Sequence, residues 1–204
     1  MKKRNYNIFK ILMVLIIILI VFLNFNYPLF YNEEVELYSE IFQVDKYLIY
    51  SIIKAESNFD KNATSEKNAK GLMQLLDSTA EEIFIELKVS DEYRDLYNPE
   101  SNIMAGTYYI SKLLDSYGDY DKAVAAYNSG IGNVNQWNMA EGDFRDNILF
   151  KETENYLNKV ERFHKTYKFL YETLSLSFLT LPDIFVKFKV FIQKIFRIVR
   201  RFNI

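Results

Sequence analysis

Cysteine is absent from this 204-residue sequence. That removes disulfide frameworks, thiol nucleophiles, thiolate metal sites and any lipid anchor carried on cysteine. A single histidine, His164, is too few for a histidine-clustered zinc site and for most triad chemistry. It sits in a polar helical stretch and reads as a structural residue. Neither a metal site nor a cofactor motif emerges. Alternating apolar and polar runs are missing as well, so the expected fold class is all-α.

Charge of one sign is scarce at each end. Residues 1–31 carry four basic residues and no acidic one, and residues 183–204 carry six basic residues against Asp183 alone. Between them, residues 32–182 hold fifteen basic and twenty-six acidic residues, a net of −11. A domain this acidic does not suit a nucleic-acid binder, whose positive footprint would lie on the domain itself. Half the residues are hydrophobic and a quarter charged, enough for a core, and the length holds one domain with appendages.

The first appendage begins with Lys2, Lys3, Arg4 and Lys10, followed by an unbroken apolar run over residues 11–23 that continues through Asn24 and Asn26 to Tyr31. With the extension it reaches the roughly 20 residues of a spanning helix. Asn24-Phe25-Asn26-Tyr27-Pro28 offers no small-residue cleavage site. The expectation is an uncleaved transmembrane signal anchor over residues 11–31. Residues 1–10 then lie in the cytoplasm and the rest of the chain on the extracytoplasmic side of the cell membrane.

Helical periodicity continues from residue 32 to residue 170. Residues 33–42 repeat apolar side chains at Val35, Leu37, Tyr38, Ile41 and Phe42. Asp45 can cap a second helix carrying Tyr47, Leu48, Ile52 and Ala55. Residues 58–70, rich in Asn, Asp, Ser and Lys, read as a loop. Gly71 is expected to open a helix running to about residue 87. Another follows Asn98-Pro99 and ends at Gly118-Asp119; residues 121–128 form the next, closed by Gly130-Ile131-Gly132. The last spans about residues 151–171. Such a bundle of short helices can leave a groove on one side.

Glu56 falls near the end of the Asp45-capped helix, one turn beyond Ile52 on the face that carries Leu48. Desolvation on that apolar flank and the negative end of the helix dipole both favour a carboxyl that stays protonated near neutrality. A general acid must be protonated in this way.

Glu56-Ser57 is followed by Gly71-Leu72-Met73-Gln74, then Ala126-Tyr127-Asn128, then Glu152-Thr153-Glu154-Asn155-Tyr156. In that order and at those intervals the motifs resemble the soluble lytic transglycosylase family, which shares the goose-type lysozyme fold. With connective phrases at Asn98-Pro99-Glu100-Ser101-Asn102-Ile103 and Gly130-Ile131-Gly132-Asn133-Val134, the likeness runs from about residue 35 to about residue 169, most of the chain after the apolar segment. The resemblance implies a lysozyme-like catalytic domain over residues 32–170 that cleaves the β-1,4 bond between N-acetylmuramic acid and N-acetylglucosamine of peptidoglycan, leaving 1,6-anhydro ends.

By the same resemblance Glu56 is the catalytic acid and then the base, and Tyr156 directs its hydroxyl at Glu56. Ser57 binds the sugar or holds the loop after the acid. Gln74 suits an N-acetyl or hydroxyl group, and Met73 offers an apolar wall for a sugar face. Asn128 contacts carbohydrate, while Tyr127 binds or packs beneath it. The route needs one carboxyl where most glycosidases use two; Asp60 and Asp77 are the other acids nearby in the sequence. The chain departs from the family pattern at Glu154, where arginine is usual, at Leu157 in place of valine, and at Asp77, where proline is common. Hydrolysis by water and a non-catalytic wall-binding scaffold are the rival readings.

Residues 171–204 are an addition to such a domain. Ile184, Phe188, Phe191, Ile195, Ile198 and Phe202 share one helical face, with Lys187, Lys194, Arg197 and Arg201 opposite. This basic amphipathic pattern suits an anionic membrane surface; a capping helix packed on the domain is the alternative.

Overall fold

The computed structural model describes the backbone of residues 2–174 and the side chains of residues 10–174. The amphipathic pattern read for the tail after residue 174 lies outside the described residues. The chain divides into two compact units, residues 31–168 forming one and the described residues 2–30 and 169–174 belonging to the other.

In the latter unit α1 (Lys2–Asn26) is a continuous helix. Ile11, Leu12, Val14, Leu15, Ile18 and Phe22 are exposed along it. Near its C-terminus two asparagines close their amides on the helix itself, Asn24 Nδ2 donating to the Ile20 carbonyl at 2.9 Å and Asn26 Nδ2 to that of Phe22 at 2.8 Å. Among the described residues no helix is long and apolar enough to cross a membrane, so the expected spanning anchor over residues 11–31 is not found there.

The unit of residues 31–168 is helical throughout. Helix α2 (Asn32–Phe42) is followed by α3 (Lys46–Glu56), whose N-terminus Asp45 caps by accepting from the Tyr47 N–H at 2.9 Å. Eight of the eleven residues of α3 are buried, which makes it the central helix, apolar on nearly every side. Then come α4 (Asp77–Glu86), α5 (Pro99–Tyr117), α6 (Tyr120–Ser129), α7 (Ile131–Asn138) and α8 (Lys151–Tyr167). Asn98 and Asp119 cap α5 and α6 through their side chains, with Pro99 at the first position of α5, and Gly118 ends α5 in the left-handed region at φ 59°. These are the positions where such residues satisfy orphaned backbone groups at least cost. Helix α3 packs along α8, α5 lies between α2 and α6, and α6 also meets α7 and α8.

Three expectations are corrected. Gly71-Leu72-Met73-Gln74 is a turn and α4 starts only at Asp77. Residues 63–75 fold back through antiparallel bridges pairing Thr64 with Lys70 and Lys70 with Leu75. Gly71 and Gln74, at φ 76° and 49°, adopt left-handed backbone that a helix cannot contain. Second, Gly130, at φ 86°, closes α6 as read, but the residues after it do not stay in a turn: they form α7, held in place by burial of Val134 and Trp137. Third, the last helix stops at Tyr167 and passes into a π-helical turn, Lys168–Thr173.

Candidate active site

Glu56 is the final residue of α3, and Ser57 caps the helix by donating its N–H to Ile53 at 3.0 Å. As a residue Glu56 is half-buried, yet its carboxyl is withdrawn from bulk water. Desolvation raises its pKa to about 7, against the lowering effects of the Tyr156 hydroxyl and the Lys159 charge, while the charge of Glu152 adds to the rise. The sign of the shift follows from burial winning over one hydrogen-bond donor and one cation.

Helix α8 supplies that donor and cation. Glu152, Tyr156 and Lys159 stand at i, i+4 and i+7, one face of a helix. The buried Tyr156 hydroxyl has no partner at full hydrogen-bonding geometry among the described residues. The group it acts on is Glu56, as a donor. The contact is therefore longer or more bent than a closed hydrogen bond, as catalytic contacts commonly are before substrate arrives. Burial and the nearby Glu56 charge push the phenol's pKa well above its usual value, so Tyr156 keeps its proton. Lys159 Nζ donates to the Ala55 carbonyl at 2.7 Å, one of the carbonyls left without an intrahelical partner at the end of α3.

The turn 71–74 is held by ties from three polar side chains. Asn102 of α5 accepts from the Met73 N–H at 2.7 Å and donates to the Lys70 and Leu96 carbonyls, each at 2.9 Å. The Tyr127 hydroxyl donates to the Met73 carbonyl at 2.8 Å. Ser57 Oγ donates to the Leu72 carbonyl at 2.8 Å, with Ile53 as a second acceptor at 3.2 Å. Gly71 is required here, since a Cβ would stand 2.2 Å from the Leu96 carbonyl oxygen and 2.3 Å from Asn102 Nδ2.

The expected site residues thus differ in what they can offer. Gln74 is half-buried; its Nε2 is spent on the Gly71 and Ala63 carbonyls, at 2.8 and 3.1 Å, which leaves Oε1 as the group to present. Asn128 Oδ1 accepts from Thr153 Oγ1 at 3.0 Å, so its Nδ2 remains. Ser57 is occupied in joining the turn to α3. Met73 corrects the expectation of an apolar wall: it is fully buried against Gly106 of α5. Tyr127 packs on Tyr109, ring centroids 5.3 Å apart, and the charge of Glu56 reaches it.

Neither of the other two acids pairs with Glu56. Asp60 closes an exposed turn by accepting from the Asn62 N–H, and Asp77 is bound to Lys70 at 2.7 Å. Glu154 pairs with Lys151 at 2.8 Å. A cavity of about 530 Å³ lined by Lys70, Asp77, Phe84, Arg94 and Tyr97 does not include Glu56. Its cations are engaged in ion pairs, Lys70 with Asp77 and Arg94 with Glu81 at 2.7 Å. Sequence reasoning missed Asn102 and Lys159 as contributors. The i, i+4, i+7 spacing from Glu152 was the signal that pointed to Lys159.

Comparison with known proteins agrees with this geometry. Residues 34–150 match the transglycosylase SLT domain. The membrane-bound lytic murein transglycosylase C of Pectobacterium atrosepticum is 32% identical over 160 residues, covering 64% of this chain and 44% of that protein. A putative soluble lytic murein transglycosylase of Haemophilus influenzae is 32% identical over 162 residues, covering 75% of this chain and 26% of the relative. Among solved structures, an inactive glutamate-to-glutamine mutant of the lytic transglycosylase Slt of Pseudomonas aeruginosa superposes with a TM-score of 0.66 at 28% identity, covering 72% of this chain and 25% of that one. The 70-kDa soluble lytic transglycosylase in complex with bulgecin A gives a TM-score of 0.65 at 28% identity, covering 71% and 25%. The chain spans less than half the length of the curated relatives it matches. With the family motif matched over more than half of its residues and the helices arranged as in the solved relatives, the chain belongs to the transglycosylase SLT domain family.

Proposed function

We propose that this chain is a peptidoglycan lytic transglycosylase, held at the membrane by α1, in which Glu56 acts first as acid and then as base. The observation that carries the reading is Glu56 itself: a carboxyl at the end of a buried helix, withdrawn from water, with a pKa of about 7 and a protonated tyrosine aimed at it. Glu56 gives its proton to the glycosidic oxygen as the bond from C1 of N-acetylmuramic acid breaks. The carboxylate then takes the proton of the muramic acid 6-hydroxyl as O6 bonds to C1. The product is a 1,6-anhydro end, no water is consumed, and Glu56 finishes protonated. A buried carboxyl near neutrality serves both halves of such a cycle.

Tyr156 orients the carboxyl, Gln74 Oε1 and Asn128 Nδ2 bind the sugar, and Ser57, Met73 and Tyr127 fix the turn beside the acid. The inactive glutamate-to-glutamine mutant among the solved relatives supports a glutamate in this role. For the anchor, the support is the apolar, exposed flank of α1 behind Lys2, Lys3, Arg4 and Lys10 and the relatives named as membrane-bound. The basic tail adds a second contact with an anionic membrane surface, and the domain faces outward.

Mass analysis of wall fragments after digestion tests the reading. Fragments ending in 1,6-anhydromuramic acid, lighter by one water than hydrolysis products, are expected. New reducing ends would establish hydrolysis in its place. Absence of cleavage would leave a wall-binding scaffold and overturn the enzymatic reading.

A further inference from the structure

Lys159 is a half-buried cation that, among the described residues, joins no ion pair. Desolvating an ammonium without a counter-charge costs free energy, so its position needs a reason. Two negative features meet it. One is the C-terminal carbonyl end of α3, which it touches at Ala55, one residue before the acid; a cation there offsets the helix dipole. The other is the Glu56 carboxyl, whose titration its charge influences.

Resting on the reading of Glu56 as the catalytic acid, we propose that Lys159 is a positioning residue of the site. It ties off the Ala55 carbonyl, fixes the last turn of α3, and stands as the counter-charge to the carboxylate formed when Glu56 gives up its proton. The groups that face Glu56 are Tyr156, Lys159 and Glu152 from α8 and Tyr127 from α6. Tyr156 and Tyr127 stay protonated, since burial first and the Glu56 charge second raise both phenols. The charges that balance at the acid are therefore Lys159 and Glu152, seven residues apart on one helix. Glu152 is exposed and screened. Lys159 is the more buried of the two, and its placement is the one set by a short hydrogen bond. Its charge also acts on Lys54, whose pKa is lowered first by burial and then by Lys159. The end of α3 thus holds two cations in competition, and the one bound to Ala55 is placed to stabilise the ionised acid.

The test compares Lys159→Met and Lys159→Arg with the wild type in the full chain, reading the pH profile of wall cleavage and, separately, the titration of Glu56 by carboxyl carbon NMR. For Lys159→Met the alkaline limb and the titration midpoint should both move up by about one pH unit. On the plateau below the limb kcat should fall several-fold with KM little changed, because the carboxylate left by proton donation has lost its counter-charge while the sugar contacts are kept. Lys159→Arg should restore the limb. If the methionine variant does not fold, Lys159→Gln, which keeps a donor for Ala55 and loses the charge, carries the same comparison. An unmoved midpoint with lowered stability alone would reduce Lys159 to a packing residue and overturn the proposal. A moved midpoint in a chain that cleaves no wall would sustain the electrostatic pairing and defeat the enzymatic reading instead.

Discussion

The Tyr127 hydroxyl donates to the Met73 carbonyl at 2.8 Å, joining α6 to the turn that carries Gln74 across fifty-four residues of sequence. The phenol is mostly buried, and the carbonyl it satisfies belongs to a residue with no exposed surface. Tyr127→Phe leaves that carbonyl without its donor, at a cost of about 1–3 kcal/mol. Thermal unfolding should register the loss, and wall cleavage should fall with it because Gln74 is no longer held. Unchanged unfolding would mean that the turn has another support.

Glu56→Gln should separate activity from stability. The amide cannot donate the proton, so cleavage should fall by at least the roughly 10²–10⁴-fold typical of general acid–base catalysis. The folded carboxyl titrates at about 7 against an ordinary 4.5, so the folded state holds the proton more tightly than the unfolded chain. Stability is then fully present below about pH 4.5 and declines as pH rises through 7, where the ionised acid costs about 3 kcal/mol. The glutamine variant should match the wild type in melting at pH 4 and exceed it at pH 8. A variant that melts lower than the wild type at pH 8 would contradict the buried-acid geometry.

At the other end of α3, Asp45 carries the opposite sign. Burial alone would raise its pKa, but the His164 hydrogen bond, the Tyr47 N–H and the charges of His164 and Lys168 together bring it down from 3.8 to about 2. Its stabilisation is present above about pH 4 and lost as pH falls toward 2. Asp45→Asn keeps a side-chain oxygen for the helix cap and removes the charge. Because the group is a third exposed, the expected loss near pH 6 is only about 1 kcal/mol after solvent screening. Denaturant midpoints for both proteins should differ at pH 6 and converge near pH 2; a constant difference would place the effect in the cap.

Gly106→Ala should strain the site from beneath. A Cβ there would lie 2.4 Å from Met73 Sδ and 2.8 Å from both its Cβ and its Cε, so rotating the thioether end does not relieve the clash. Overpacking of this kind costs about 1–3 kcal/mol, and displacement of Met73 should lower kcat through the Gln74 turn. Equal kcat in the two proteins would show that the turn and the chemistry are independent.

What the sequence determined by itself is the part set by local chemistry. Helical period without strand alternation gave the all-α class. Asp45, Asn98-Pro99 and Gly118-Asp119 marked their helix ends, because caps and breakers act on backbone groups within a few residues. The same local pattern put Glu56 at the end of its helix. Tertiary structure decided what depends on distant partners. Leu72, Met73, Leu75 and Leu76 are side chains that suit a helix, but Asn102, Tyr127 and Ser57 hold the turn from three separate elements, and α4 waits until Asp77. Gly130 marked the end of α6 correctly, but Gly132 and Asn133 hid the start of α7; burial of Val134 and Trp137 overrides their weak helix propensity. Whether Met73 faces a groove or the core, and which cation stands beside Glu56, follow from how α5 and α8 lie against the chain. Contacts of that range leave only a faint periodic trace in sequence, because packing and desolvation act between residues far apart along the chain.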